Sequence, residues 1–484
     1  MKMQVGVQQP CAGALCRRRP TPPCASASES AYASESASAS AMSTSAPPPT
    51  NCDVLVVGAG PAGSACAQWL ARQGVQVVLV DQQAFPRDKV CGDGLIPDAH
   101  HALRRLGVHD EVMARALNVP HVACIGPRGG RVDVPGQLAV LARRELDDIL
   151  KRAAERAGAQ FFAPWRFEAP LLAGADADSQ APVVGARLKS PTLGLCEVRA
   201  RWVVLATGAV PRALMAAGLC DRHTPTGIAL RGYVHHPAMA QRRPALEVVW
   251  HKQLRKGYGW IFPGPDNVFN IGVGLAQSHG KQVAGRATME DVNLRELFAA
   301  FTRVYAPAGE LMAGGTLIGE IKGAPLRCSL DGARFSRPGL LVTGEAAGST
   351  YAFTGEGIGK AMETGLLAAE ALIGPLAQGA AAQAGMPPHG AEHNASHNAK
   401  HDATNDIALR AGYEAALRAL KPRFDLYQRA SRVNDYPWLT DLLIWRAQRS
   451  ARVLRGMSRV LDETGNPGSL VSLRGLSRLL LPGR

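Results

Sequence analysis

The stretch that decides the fold reads DVLVVGAGPAGSACAQWLARQGVQVVLVD and runs from Asp53 to Asp81. An apolar run over Val54–Val57 leads into a glycine-rich turn, and an apolar-periodic segment then continues to about Gln73. A second apolar run follows and ends at Asp81. This order predicts a β-strand, a tight turn, an α-helix and a second strand, which is how a parallel sheet begins.

The turn carries the spacing G-x-G-x-x-G, formed by Gly58, Gly60 and Gly63. The first glycine permits the tight turn, the second lets a pyrophosphate approach the backbone, and the third lets the helix pack on the strand. The helix start around Ala62 offers free N–H groups and the positive end of its dipole to phosphate groups. Asp81 can accept hydrogen bonds from a ribose 2′-OH. We therefore predict a dinucleotide-binding unit, the alternative being a glycine-rich turn that binds no nucleotide.

The composition bounds the class of protein. The chain has 484 residues, 46% of them hydrophobic, and a net charge of +14. No uninterrupted apolar stretch approaches the roughly 18 residues of a membrane-spanning helix. The ten cysteines are scattered without metal-binding spacing, so a reduced, cytoplasmic setting is expected and no metal site is predicted. No nucleic-acid-binding module is recognisable, so the positive charge favours attachment to the inner face of a membrane over nucleic acid.

The chain divides into segments of different character. We predict an α/β fold with an α+β second domain: a Rossmann-like nucleotide-binding domain, a substrate domain with a mixed or antiparallel sheet, and a helical C-terminal tail. The predicted boundaries are a disordered Ala/Ser-rich leader over 1–51, the first part of the nucleotide-binding domain over 52–221 including hairpins, the substrate domain over 222–320, the second part of the nucleotide-binding domain over 321–373, a flexible low-complexity loop over 374–405, and a basic helical region over 406–484. The leader is either a transit peptide or precedes a true start at Met42.

Four separated segments match one known family in the same order. They are Gly58–Gly63 with Asp81, KVCGDG at Lys89–Gly94, YGWIFP at Tyr258–Pro263, and Gly344–Gly348 with Thr354–Ile358. Together they resemble the geranylgeranyl reductase family of flavoproteins, which is built on the p-hydroxybenzoate hydroxylase fold. The resemblance spans about residues 52–373. It implies an FAD enzyme that saturates carbon–carbon double bonds of a polyprenyl chain on a lipid, a quinone or a pigment precursor.

The resemblance assigns cofactor-binding residues along the whole first domain. They are Gly58, Gly60, Ala62, Gly63, Asp81, Cys91, Gly92, Gly94, Arg143, Glu345, Gly357 and Ile358. Arg143 would pair with the pyrophosphate or ribityl oxygens. Glu345 would accept from ribityl hydroxyls, although Asp is commoner in that position. The helix start at Gly357 and Ile358 would face the flavin N1–C2 carbonyl and favour the anionic reduced ring.

Aromatic side chains at Tyr258, Trp260 and Phe262 alternate along one predicted strand, so they share a face, and Pro263 ends it. We expect these four residues to bind the substrate, because an aromatic wall suits a long apolar chain. Tyr258 and Trp260 are candidate catalytic residues together with Cys91. The Cys91 thiol either shapes or protonates the reaction, or is a small packing residue without chemistry.

Two other functions remain open at the level of sequence. One is a flavin monooxygenase of the same fold that acts on an apolar or aromatic substrate, and the other is a membrane-attached flavin electron carrier. The sequence holds no second G-x-G-x-x-G unit, so electrons would come from transiently docked NADPH or from reduced ferredoxin. The basic tail with Trp438 and Trp445 suits either a helix on an anionic bilayer or helices packed on the catalytic domains. The sequence predicts no oligomeric state.

Overall fold

The computed structural model describes residues 46–174, 181–254, 256–276, 279–283, 286–289, 292–384 and 395–467. Most of the predicted leader, residues 1–45, lies outside the described residues, as do 385–394 of the predicted loop and 468–484 of the predicted tail. Within the described part of the chain, no helix combines the length and the apolar character that crossing a membrane requires.

The strands are numbered in chain order. They are β1 (Asn51–Val57), β2 (Val77–Val80), β3 (Gly94–Leu95), β4 (Leu117–Ile125), β5 (Arg131–Val140), β6 (Gln160–Phe162), β7 (Arg166–Leu172), β8 (Val183–Ser190), β9 (Gly194–Leu205), β10 (Gly227–His235), β11 (Leu246–Val249), β12 (Gly257–Pro263), β13 (Val268–Ala276), β14 (His279–Val283), β15 (Arg286–Met289), β16 (Thr316–Leu326), β17 (Ser336–Arg337) and β18 (Leu340–Val342).

The α-helices are numbered in the same way. They are α1 (Pro61–Ala71), α2 (Pro97–Leu106), α3 (His109–Met113), α4 (Arg143–Arg156), α5 (Arg212–Ala216), α6 (Pro237–Ala240), α7 (Leu294–Val304), α8 (Ala306–Gly314), α9 (Ile358–Ala384), α10 (Ala395–Ala430), α11 (Trp438–Ala447) and α12 (Ala451–Leu461). Short 3₁₀ turns lie at Lys252–Leu254, Pro265–Asn267, Gly344–Ala347 and Ser431–Asn434.

The first sheet has the order β17-β18-β9-β1-β2-β6, and its neighbours from β18 to β6 are parallel. Strand β1 is buried on both faces, as its unbroken apolar run predicts for a covered parallel sheet. Residues of α1, α9 and α10 pack against one face. The antiparallel pair β7–β8 and helix α5 cover the other face. The strand–turn–helix–strand prediction for the opening stretch agrees with β1, α1 and β2.

The second sheet has the order β16-β10-β13-β12-β11-β4-β5-β3. Its pairs are antiparallel except for β11 with β4, which run parallel. The hairpin β4–β5, which the sequence analysis includes in the first domain, therefore belongs to this sheet. Helices α7 and α8 cover one face: the Phe301 ring lies where a Cβ on Gly259 would approach to 2.5 Å, so only glycine fits there. The opposite face of β12 carries the aromatic side chains, which line a cavity together with residues of the first sheet.

The C-terminal helices pack on the hairpin of the second sheet. Residues of α11 and α12, such as Ile444 and Leu461, contact Val132 and Val134 of β5. Helix α9 continues to Ala384 and α10 begins at Ala395, so all described residues of the predicted flexible loop over 374–405 are helical. Pro375, which suggests an end in the sequence, lies inside α9, and the alanine-rich residues after it have high helix propensity.

Candidate active site

A single cavity of about 1160 Å³ brings the predicted residues together. Its lining begins at the turn between β1 and α1, passes the Cys91–Gly94 loop, and ends at the aromatic face of β12 and the C-terminal helices. Every residue predicted for the cofactor or the substrate lines this cavity except Gly63 and Pro263, which are buried beside it. The predicted set therefore converges in space, although its roles remain predictions.

The glycine turn is fixed by contacts that exclude a side chain. A Cβ on Gly63 would lie 1.7 Å from the Gly58 carbonyl oxygen. Gly58 itself has φ +103° and a Cβ there would lie 2.3 Å from the Ala206 carbonyl oxygen. A Cβ on Gly60, by contrast, would meet only two guanidinium groups, at 3.6 and 3.8 Å. The open side of Gly60 thus faces positive charge, which suits a pyrophosphate.

The two guanidinium groups belong to Arg87 and Arg143 and share one buried carboxylate. Arg143 donates to both oxygens of Asp147, at 2.6 and 2.8 Å, and Arg87 Nη1 lies 2.9 Å from Asp147 Oδ2. Burial alone would lower the pKa of Arg143, but Asp147 and the nearby Cys91 thiol raise it, so the guanidinium stays charged. Sequence reasoning found Arg143 but missed Arg87 and Asp147. Arg87 lies in the same charged loop as Cys91, and Asp147 is one helical turn after Arg143.

Asp81 hydrogen-bonds to the backbone of the glycine turn. Its Oδ2 accepts a hydrogen bond from the Ala59 N–H at 2.9 Å, its Oδ1 accepts one from the Gln83 N–H at 2.9 Å, and Arg87 Nε lies 3.6 Å from Oδ1. Burial raises the pKa of this carboxyl, although Arg87 and the two N–H groups act against that. The Asp81 carboxylate therefore fixes both the glycine turn and Arg87. The hydrogen bond to a ribose hydroxyl that the sequence predicts for Asp81 stays a prediction.

The Cys91–Gly94 loop is tied to the second sheet by Asn270 of β13. Asn270 Nδ2 donates to the Cys91 carbonyl and to Asp93 Oδ2, each at 2.7 Å, and Asn270 Oδ1 accepts from Trp260 Nε1 at 2.8 Å. A Cβ on Gly92 would lie 3.3 Å from the Phe262 ring, so the loop backbone packs directly on the aromatic face. One amide side chain therefore sets the loop against that face.

Asp93 is the charged centre of this junction, with 1% of its surface exposed. Tyr233 donates to Oδ2 at 2.5 Å and the Arg143 N–H donates to Oδ1 at 3.3 Å. Burial raises the pKa of Asp93 to about 6, although Tyr233, Asn270 and two arginines act to lower it. Sequence reasoning missed Asp93, Tyr233 and Asn270 as site residues. Only Asp93 carries a sequence signal, because it lies inside the C-G-D-G segment.

The aromatic face is ordered by its own contacts. Neighbouring ring centres of Tyr258, Trp260 and Phe262 lie 6.3 and 6.4 Å apart. The Tyr258 hydroxyl donates to the Thr354 carbonyl at 2.8 Å, which joins the second sheet to the loop before α9. A Cβ on Gly272 would lie 2.2 Å from the Trp260 ring, so glycine at this position makes room for the indole. The period-two pattern correctly predicted that these rings share a face.

The loop before α9 closes the cavity on the remaining side. Glu345 and Thr350 both line the cavity, and the Thr350 hydroxyl lies 3.4 Å from Glu345 Oε1. A Cβ on Gly357 would lie 2.6 Å from that hydroxyl oxygen, which brings the backbone close to Thr350. Helix α9 then starts at Ile358, and its N-terminal end lines the cavity through Gly357, Ile358 and Ala361. This arrangement fits a negatively charged ring edge.

The far end of the cavity is apolar and comes from the C-terminal helices. Leu443 and Ile444 of α11, with Met457 and Leu461 of α12, line it opposite Leu246 and other residues of the second sheet. The sequence predicted helices in this region but gave no sign that they cover the cavity. Long-chain hydrocarbon is the chemistry that such a lining accommodates.

Comparisons with known proteins agree with this geometry. Residues 51–251 match the model of an FAD binding domain. Menaquinone reductase of Mycobacterium tuberculosis is 35% identical over 350 residues, covering 66% of this chain and 76% of that protein. Digeranylgeranylglycerophospholipid reductase 1 of Methanopyrus kandleri is 29% identical over 327 residues, covering 66% of this chain and 80% of that protein. The crystal structure of a geranylgeranyl bacteriochlorophyll reductase-like protein from Thermoplasma acidophilum has TM-score 0.62 and 19% identity, covering 89% of this chain and 96% of that one.

The fold and the arginine-lined glycine turn, together with the matching domain model, define an FAD-dependent oxidoreductase. The 35% identity with the menaquinone reductase, over 76% of that protein, extends the similarity beyond the FAD-binding domain. The chain belongs to the geranylgeranyl reductase family of FAD-dependent oxidoreductases, as the four sequence segments predict.

Proposed function

We propose that the protein saturates carbon–carbon double bonds of a polyprenyl chain carried by a lipid, a quinone or a pigment precursor. The observation that carries this proposal is the continuity of the cavity, from the guanidinium groups at Gly60 to the rings of β12 and the aliphatic side chains of α11 and α12. The names of two relatives, a menaquinone reductase and a digeranylgeranylglycerophospholipid reductase, support a quinone or a prenylated lipid as the substrate.

Different residues along the cavity would bind the cofactor and the substrate. FAD, when bound and reduced, would supply the hydride for the double bond. Arg87 and Arg143 would hold the pyrophosphate or ribityl oxygens, Glu345 would accept from ribityl hydroxyls, and the start of α9 would stabilise negative charge on the ring. The aromatic face of β12 holds the chain and excludes water. Cys91 lies between the two ends, lining the cavity and contacting Arg143, so its thiol is placed to shape the reacting carbon's surroundings.

An anaerobic assay tests the reaction. Enzyme reduced with dithionite is mixed with a polyprenyl lipid extract, and the products are analysed by mass spectrometry. We expect flavin reoxidation with products heavier by two hydrogens. A product that forms only with O₂ and is heavier by one oxygen would instead establish a monooxygenase, and rapid reoxidation by a quinone without a reduced chain would establish an electron carrier.

The electron donor is proposed to be NADPH, docking transiently, or a reduced ferredoxin, because the sequence holds no second dinucleotide-binding unit. Stopped-flow absorbance under anaerobic conditions distinguishes the two. Bleaching of the flavin by NADPH alone supports the nicotinamide donor, and bleaching only in the presence of reduced ferredoxin supports the protein donor.

We also propose that α11 and α12 dock on an anionic membrane. Trp438 and Trp445 of α11 are 58% and 45% exposed, and Arg452 and Arg455 are exposed on α12. The opposite sides of the same helices line the apolar end of the cavity. A bilayer at this surface would deliver a lipid chain to the cavity without passage through water.

Vesicle flotation tests the docking. Binding to vesicles that contain anionic phospholipid is expected to weaken roughly 30-fold, about 2 kcal/mol, in the double variant Arg452→Glu, Arg455→Glu. The control Arg115→Glu, Arg199→Glu changes the net charge equally at other exposed positions and should lower binding much less. Equal loss in both variants would mean that net charge, rather than this surface, drives binding.

A further inference from the structure

Three carboxyl groups meet beside the cavity without enough positive charge to balance them. Oxygens of Asp98 in the first turn of α2, Glu356 just before α9, and Glu463 just after α12 all lie within 4.8 Å of one another. The side chains of Asp98 and Glu463 are 9% and 8% exposed. Both Asp98 oxygens, Glu356 Oε1 and Glu463 Oε1 are buried and receive no hydrogen bond from the described residues.

The cations that face this cluster are already engaged. Lys360 Nζ lies 2.7 Å from Glu363 and 2.8 Å from Glu463, but 3.7 Å from Asp98. Arg423 of α10 lies 2.8 Å from Glu463. The other polar neighbours are the hydroxyls of Tyr351 and Tyr427, the latter donating to the Val460 carbonyl at 2.6 Å.

The three carboxyl groups of this cluster cannot all remain ionised beside Lys360 and Arg423, because like charges at this separation repel strongly and burial disfavours each of them. A bound proton corrects this imbalance without another cation, and the Lys360 ammonium already lies beside two of the three carboxyl groups. Burial, together with the nearby charge of Asp98, raises the pKa of Glu356 well above its ordinary value. Burial also raises the pKa of Glu463, but Lys360 and Arg423 hydrogen-bond to this carboxyl group and act to lower its pKa, so the proton is assigned to Glu356 beside Asp98.

The position of Glu356 connects this proton to the reaction site. Glu356 lines the cavity together with Thr354, Gly355, Gly357 and Ile358. A Cβ on Gly355 would lie 2.6 Å from the Tyr258 hydroxyl oxygen, so this loop packs directly on the aromatic face where the chain is proposed to lie. Saturation of a double bond at this place consumes a proton, which a neighbouring acid must supply.

We propose that Glu356, sharing a proton with Asp98, is the proton source for the carbon that does not receive hydride. This inference rests on the proposed reductase function. In the balanced step, the hydride pair forms one C–H bond, the π electrons of the double bond form the other with the proton, and the O–H bond at the carboxyl pair breaks. The pair is left with one more negative charge and recovers its proton from solvent.

The variant Glu356→Gln keeps the shape of the side chain and removes the proton. With anaerobic, pre-reduced enzyme in a single turnover, we expect normal FAD content and normal reduction by dithionite, but a loss in the rate of chain saturation of roughly 10²-fold or more. The matched control is Glu363→Gln, which removes a carboxylate from the same lysine on the more exposed side. The control should saturate the chain at the wild-type rate. Wild-type rates in Glu356→Gln would overturn the proposal.

A pH profile separates proton supply from a structural role. In wild type, saturation should fall at high pH, where the pair loses its proton. Asp98→Asn removes the charge that raises the pKa of Glu356, so this fall should move to lower pH while FAD content is unchanged. A profile that does not move would contradict the shared proton.

Infrared spectroscopy of the FAD-loaded protein gives a readout that is independent of turnover. At neutral pH the wild type should show the carbonyl band of a protonated carboxyl group, which shifts in D₂O, is lost in Glu356→Gln and persists in Glu363→Gln. If Glu356→Gln kept this band, the proposal that Glu356 holds a proton would be wrong. If the band is lost as expected but wild type saturates no polyprenyl chain, the proposed function fails rather than the assignment of the proton to Glu356.

Discussion

The two ends of the cavity are built in different ways. At the nucleotide end, backbone contacts set the geometry: Gly63 packs on the Gly58 carbonyl, and Gly58 packs on the Ala206 carbonyl directly after β9. At the substrate end, side chains from β12, β13, α11 and α12 meet, although hundreds of residues separate some of them in the chain. A difference of this kind lets one family keep its cofactor end while the substrate end varies, because side-chain surfaces change without rebuilding the backbone.

The largest effect is expected at the backbone-defined end. Gly63→Ala places a Cβ 1.7 Å from the Gly58 carbonyl oxygen, so α1 must move away from β1. We expect loss of FAD and a decrease of about 4 kcal/mol or more in the free energy of unfolding. The FAD-to-protein ratio and thermal unfolding measure both.

The control for this variant is Gly374→Ala. Gly374 is an exposed helical residue of α9 with nothing within 4 Å of a Cβ, so this change should leave FAD content intact and raise stability by up to about 1 kcal/mol. Full FAD content in Gly63→Ala would show that the nucleotide end is not backbone-defined.

A smaller effect is expected at the junction between the two ends. Asn270→Ala removes the acceptor of the Trp260 N–H and the donor to Asp93 and to the Cys91 carbonyl. Leaving these buried groups without partners should lower the free energy of unfolding by about 3 kcal/mol and slow chain saturation. Asn118→Ala, at an exposed position of β4, should be nearly neutral in urea denaturation. Equal stability of the two variants would mean that the junction does not hold the loop.

The smallest of the three effects depends on pH. The pKa of Asp93 is raised from 3.8 to about 6, so between these values the folded protein keeps a proton that the unfolded chain has released. The contribution is fully present below about pH 4, and stability is lost as the pH rises to about 6, by at most about 3 kcal/mol. Urea denaturation across this range should show a steeper decrease in wild type than in Asp93→Asn. Parallel curves for the two proteins would contradict a proton held at Asp93.

Features set by residues close together in the chain could be predicted from the sequence, whereas long-range contacts could not. The strand–turn–helix unit was predictable because its glycines and flanking apolar runs lie together between Asp53 and Asp81. The aromatic face was predictable because side chains alternate along a strand with a period of two. Asn270 and Tyr233 were not predictable, since their partner Asp93 is well over 100 residues away and no local pattern marks such a contact. The parallel pairing of β4 with β11, which moves a hairpin into the second sheet, is long-range in the same sense.

We propose that the apolar end of the cavity receives a polyprenyl chain beside bound FAD. Mass spectrometry of the lipids that purify with the FAD-loaded protein measures this occupancy. We expect polyprenyl lipids that include pairs of species two hydrogens apart in mass. Protein that retains FAD but purifies with no lipid, or only with small polar molecules, and takes up no added polyprenyl lipid would contradict it.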